Sequence, residues 1–79
     1  MIKMTDLPVR ARGRICCLAA EGTMRRRLMD LGFVPGTEVE TVRRRPGGGL
    51  AVYLLRGTMI ALRKGQSDYI YIERSGYFE

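Results

Sequence analysis

RRRLMDLGFVPGTEVETVRRRP, residues 25–46, passes from a helical pattern to a strand pattern through one tight turn, and it decides the fold. Met24, Leu28 and Leu31 fall at i, i+4 and i+7, one stripe of a short helix over about 23–31. Gly32 follows Leu31 directly as a C-terminal stop. Glu21 at the helix start complements the dipole and sits four residues before Arg25, in the better orientation for an i,i+4 pair. Asp30 lies in the last turn, where a carboxylate opposes the dipole, so a bond to a backbone N–H or an arginine is expected. In residues 33–36 (FVPG), Pro35 pre-sets φ and Gly36 supplies positive φ, the pattern of a type II turn. Residues 37–45 then read as a strand with Val39 and Thr41 on one face. Val42 breaks the alternation and predicts a bulge or twist near 41–42.

Outward from this stretch the glycines divide the chain into strand-length pieces. Residues 14–19 (RICCLA), after Gly13, form a first strand, with Cys16 and Cys17 pointing to opposite faces. Pro46 to Gly49 make a loose connection to an apolar strand over 50–56, and Gly57 marks a tight hairpin into 58–63. Residues 64–68 are a turn or a single 3₁₀ turn. In 69–74 alternation places Ile70 and Ile72 inward and Tyr69 and Tyr71 at the rim, and Ser75 to Glu79 are expected to fray. The fold predicted is mainly β: a small five-stranded barrel with one short helix inserted after the first strand.

Composition narrows the function. The 79 residues carry 14 Lys+Arg against 8 Asp+Glu, for a net charge of +6, with 46% apolar residues, no His, no Trp and two Cys. That length accommodates one small domain. Without histidine, Ser-His and Cys-His catalysis and His-based metal sites are excluded. Adjacent cysteines cannot staple distant segments of the fold, and two thiols fall short of a zinc or cluster site. A small reduced chain suits the cytoplasm. The sequence shows no apolar core of a signal peptide and no run long enough to span a membrane.

The 25–46 stretch, preceded by GRI (13–15) and followed by RGTMIALRK (56–64), resembles the FeoA family of small cytoplasmic proteins associated with bacterial ferrous-iron uptake. The resemblance runs from about Leu7 to Glu73, and helix–DLG–PGT–strand followed by RG-x₃-ALR carries it. It implies a single SH3-like domain over 1–79 with its core at about 7–74, non-enzymatic, without cofactor, acting on the FeoB-type membrane transporter with a GTPase domain. The same fold serves as the C-terminal domain of DtxR-like metal-dependent repressors, so fold alone does not fix the function. Cys16 and Cys17 stand where aliphatic or small residues are expected, and the aromatic tail (Tyr77, Phe78) extends past the family's usual last strand.

No metal, catalytic or cofactor site emerges from the residues. Ferrous iron takes His and carboxylate ligands, and only Glu38 and Glu40 are close in sequence, on a strand face beside arginines that reads as a solvated salt-bridge surface. These two acids also lack the apolar pocket that would split them into acid and base. Gly47–Gly49 is no phosphate loop, since no GK[ST] follows. The positive charge is the sharper feature. Residues 1–45 hold 10 basic and 5 acidic side chains, residues 46–79 hold 4 and 3. Arg25, Arg26 and Arg27 fan over the helix face opposite its apolar stripe, and Arg43, Arg44 and Arg45 end a strand. If the two groups are neighbours, six arginines make one basic surface. Such a surface serves as a soluble exterior, a contact for an acidic partner or the inner membrane face, or a phosphate-binding surface, the last making the chain a nucleic-acid-binding or regulatory module. Nucleic acid is the least favoured, because Tyr53, Tyr69 and Tyr71 belong in or beside the core rather than on a stacking platform. The partner reading puts the contact on helix 23–31 and its flanking turn, with the three helix arginines steering and Leu28, Met29 or Phe33 as apolar anchors, Leu28 serving equally well as a pure core residue.

Overall fold

The computed structural model describes residues 1–77. Six strands, β1 (Ile2–Lys3), β2 (Ala11–Leu18), β3 (Glu38–Arg44), β4 (Leu50–Leu55), β5 (Thr58–Arg63) and β6 (Ile70–Tyr77), form one antiparallel sheet in the order β1-β6-β2-β3-β4-β5. Helix α1 (Gly22–Asp30) follows β2, a one-turn helix α2 (Lys64–Ser67) follows β5, and a 3₁₀ turn occupies Met4–Asp6. The mainly β prediction and the helix after the first long strand hold. The five-stranded barrel with a single helix is corrected to six strands in a sheet whose edges, β1 and β5, do not pair with each other. The short β1 was missed because two residues carry no alternation; it is held by pairing Ile2 with Ile72 and Lys3 with Tyr71. Residues 64–68, expected as a turn, contain α2.

The decisive stretch folds as its chemistry dictates. The Thr37 N–H donates to Val34 O at 3.1 Å, with Gly36 at φ +93°, so the turn after α1 is closed by the glycine that can adopt it. Val39 and Thr41 are buried on one face, and the β3–β4 register slips between Thr41 and Arg43, the expected bulge. Leu55 pairs with Thr58 across a two-residue Arg56-Gly57 connection with both φ positive, the geometry that matches strand twist in a tight hairpin.

Two strands depart from expectation. β2 begins at Ala11, so Gly13 lies inside it rather than before it. A Cβ there would meet Ile72 Cδ1 at 2.6 Å and Glu73 O at 2.9 Å, and the glycine allows β6 to approach. A second register shift between Ile15 and Cys17 turns Ile15 and Leu18 both inward and leaves Cys16 half-buried and Cys17 exposed. The bulge, rather than strict alternation, therefore keeps both thiols out of the core. β6 continues to Tyr77, with Gly76 and Tyr77 paired to Arg12 and Ala11 and Ser75 at the register shift between them and Arg74, so Ser75 to Tyr77 are strand rather than frayed tail; Phe78 and Glu79 lie outside the described residues.

Met4, Leu7, Ile15, Leu28, Phe33, Val39, Tyr53, Leu55, Leu62, Ile70 and Ile72 build the core. Phe33, just past α1, meets Tyr53 of β4 edge-to-face, ring centres 6.4 Å apart and planes at 90°. Burial pushes the Tyr53 hydroxyl pKa up, partly offset by Ser67 and Arg44 beside it. The Thr41 hydroxyl is buried without a hydrogen-bond partner among the described residues. Thr41→Val, which removes that unpaired oxygen, is expected to raise the unfolding free energy by about 1 kcal/mol, read by urea denaturation. A loss of stability would mean that the hydroxyl has a partner.

Candidate functional site

Helix α1 carries a divided surface. Only Leu28 is buried on it (0% exposed), while Met24 and Leu31, assigned by spacing to the same stripe, remain 36% and 41% exposed. A helix of nine residues set against a twisted sheet touches it with one turn, so the apolar stripe is longer than its contact. Leu28 and Phe33 are core side chains, both at 0% exposure: of its two readings Leu28 takes the core one, and Phe33 is corrected from a surface anchor. Met29 is half-buried against the core. The exposed apolar groups of this face are Met24 and Leu31, which the sequence reading placed inside.

The three helix arginines differ in role. Arg25 is half-buried and donates from Nη1 to Leu18 O at 3.1 Å, bracing α1 to the end of β2. Arg26 and Arg27 are exposed and, with Thr23, Asp30 and Leu31, line a shallow groove of about 330 Å³. Asp30, expected to find a backbone or arginine partner, is exposed with no hydrogen bond or ion pair among the described residues. No bond joins Glu21 to Arg25 side chain to side chain; the Arg25 N–H reaches Glu21 O at 3.5 Å.

Arg43, Arg44 and Arg45 stand elsewhere. α1 and its turn lead into the start of β3, whereas these arginines occupy its far end, about 20 Å along a seven-residue strand. The two arginine groups therefore make separate surfaces, against the single one that was considered. Arg44 is tied down, Nη2 donating to Leu7 O at 2.9 Å. Arg43 and Arg45 are exposed and, with Pro46 and Leu50, border a groove of about 400 Å³. Pairing brings further cations to the same end. Leu50 faces Arg63 across β4–β5, the Arg45 N–H donates to Leu50 O and the Lys64 N–H to Gly49 O. Sequence separation hid this convergence; the β4–β5 register was the signal that could have shown it.

A third groove, about 530 Å³, runs along the start of β3 and the β4–β5 hairpin. Its polar groups are engaged: Arg12 Nη1 lies 3.9 Å from Glu38 Oε1, and Arg56 Nη2 donates to Thr37 Oγ1 at 3.2 Å. At α2, the Thr5 hydroxyl donates to Asp68 Oδ1 at 2.7 Å and Lys64 Nζ to Oδ2 at 3.1 Å, which hold the Asp68 carboxyl below its ordinary pKa and pin the N-terminal segment. Among the described residues, no three Cys, Asp or Glu side chains cluster as metal ligands would. No helix is long and apolar enough to cross a membrane.

Comparison with known proteins agrees with that architecture. The solution structure of iron(II) transport protein A from Clostridium thermocellum superposes with a TM-score of 0.89 at 34% identity, over 92% of this chain and 45% of that chain. The chain therefore spans less than half the length of that relative. FeoA from Chlorobium tepidum gives 0.85 at 30% identity, covering 92% and 70%. A zinc complex of Stenotrophomonas maltophilia FeoA, described as a prokaryotic SH3 domain protein, gives 0.81 at 27% identity, covering 92% and 91%. A manganese-dependent transcriptional repressor shares the fold at 14% identity, with a TM-score of 0.84 over 92% of this chain and 41% of that one. No curated protein matches the chain. The FeoA domain model matches residues 2–74, nearly the whole sequence, and the chain belongs to the FeoA family.

Proposed function

We propose that the chain is a non-enzymatic accessory protein of ferrous-iron uptake that acts in the cytoplasm by contact with the soluble part of a FeoB-type transporter, through the exposed face of α1. The observation that carries this reading is the pairing of exposed apolar and cationic groups on one helix. Met24 and Leu31 flank Arg27, Arg26 stands beside them, and only Leu28 is committed to the core. Apolar contact gives such a face its affinity, and the guanidinium groups steer an acidic partner and fix its orientation.

The contact set is accordingly Met24, Arg26, Arg27, Met29 and Leu31, with Arg25 acting through the position of the helix. Capture of the transporter's cytoplasmic domain on immobilised protein tests it. Arg26→Glu with Arg27→Glu, both at exposed positions whose side chains make no hydrogen bond or ion pair among the described residues, is expected to leave thermal unfolding within about 0.5 kcal/mol of the parent. The same double change is expected to weaken capture by roughly tenfold or more, which corresponds to a loss of about 1.4 kcal/mol or more for the two charges together. Undiminished capture by the folded double variant would remove the helix arginines from the contact.

A further inference from the structure

The charge of the chain is segregated more sharply than its halves suggest. Residues 41–67 contain six basic side chains, Arg43, Arg44, Arg45, Arg56, Arg63 and Lys64, and no acid; the remaining residues contain eight basic and eight acidic ones. The entire excess of +6 therefore belongs to the end of β3, the β4–β5 hairpin and α2. This half of the sheet ends in an edge, because β5 pairs only with β4.

That edge is open in a definable way. In a two-residue hairpin the flanking residues exchange backbone hydrogen bonds, so Leu55–Thr58, Tyr53–Ile60 and Ala51–Leu62 are the bonded pairs. Met59, Ala61 and Arg63 then direct their N–H and C=O groups away from β4. The Arg63 N–H confirms the phase, reaching outward to Gln66 Oε1 at 3.1 Å. Met59 and Ala61 have no such cap among the described residues. Their side chains are exposed, Met59 at 63%, while Ile60 and Leu62 face inward. Edges are ordinarily blunted by a bulge, a proline or a charge in the strand. β5 runs in unbroken register with β4, and Thr58-Met59-Ile60-Ala61 carries none of these.

We propose that β5 is a docking edge for an extended acidic segment of a partner protein, which adds as a further strand along residues 58–61. The outward groups of Met59 and Ala61 supply the ladder, Met59 supplies apolar contact, and the cations set the charge of the occupant. Arg56 stands at one end of the strand, Arg63 and Lys64 at the other, with Arg43 and Arg45 reached through Leu50. The same distribution opposes a second copy as occupant. Antiparallel pairing of two β5 strands would lay the Arg56 end of one against the Arg63 end of the other, a like-charge contact at both ends. This inference stands apart from the helix contact proposed above and holds whichever face the transporter uses.

Fluorescence anisotropy with a labelled peptide alternating Glu and Val tests it. The peptide is expected to bind, and the same peptide with proline in place of every valine, which keeps the charge but cannot donate to a ladder at those positions, is expected to bind roughly tenfold or more weakly. Ala61→Pro removes one outward N–H without touching a bond to β4 and is expected to stay folded, as proline is tolerated on sheet edges, and to lose the peptide to a similar degree. Met59→Glu, which keeps the ladder and adds repulsion, is a second variant should Ala61→Pro fail to fold. No binding by the parent, equal binding of the proline peptide, or retention by both variants would overturn the proposal. A dimer in sedimentation that Ala61→Pro dissociates would replace the acidic segment with a second copy and equally overturn it.

Discussion

Phe33→Ala is expected to lower the unfolding free energy by about 3–5 kcal/mol, the range for removing a large aromatic from a packed core. Phe33 is fully buried, and its ring meets Tyr53 edge-to-face, so truncation removes both the area and the aromatic pair. A 79-residue chain holds roughly 4–12 kcal/mol in total, so the variant loses a large share of its stability. At about 4–8 °C per kcal/mol for a domain of this size, the midpoint should fall by some tens of degrees in a thermal melt. The side chain follows the α1 terminus directly, and its burial is what fixes the helix over the sheet beside Leu28. A loss under about 1 kcal/mol, the scale of a surface change, would mean that Phe33 is free of the core, and would restore it as a surface anchor.

Gly13→Val is expected to abolish folding, and Gly13→Ala to cost about 1–3 kcal/mol, toward the upper end. A Cβ at this position falls 2.6 Å from Ile72 Cδ1, which can rotate, and 2.9 Å from Glu73 O, which is backbone and cannot move alone. β2 is paired on both sides at this point, with β3 through Val39 and with β6 through Arg74, so neither strand yields without breaking a ladder. Gly49 has open space around its missing Cβ and serves as the control, with Gly49→Ala expected within about 0.5 kcal/mol of the parent. Circular dichroism with urea titration distinguishes the three. A stable Gly13→Val protein would show that β2 and β6 are further apart than described.

Much of this was legible in local chemistry. The Gly32 stop, the Val34–Thr37 turn, the Arg56-Gly57 hairpin and the bulge near Val42 each follow from a residue type required at its position, and each is found there. What escaped depends on distant partners. Gly13 read as punctuation because its reason is Ile72, nearly sixty residues later. Met24 and Leu31 read as core because periodicity gives the width of an apolar stripe but not how much of it a short helix can press against a sheet. The register shift beside Cys16 and Cys17 was not legible from alternation, because it is set by pairing with Tyr71 and Ile72 far along the chain. The candidate site was least legible for the same reason. The convergence of Arg43, Arg45 and Arg63 exists only through the β4–β5 register, and the division of labour between Arg25 and its neighbours only through the carbonyl of Leu18.

The proposed contact requires the exposed face of α1 to meet the transporter's cytoplasmic domain, and a chemical-shift titration measures that face residue by residue. With the chain isotopically labelled and the transporter's cytoplasmic domain added, the account predicts that perturbations centre on Thr23–Leu31 and reach the surface side of Met29, while the core positions Ile15 and Ile72 stay unmoved. No perturbation at saturating domain, or perturbations that leave α1 untouched and gather elsewhere on the molecule, would contradict it.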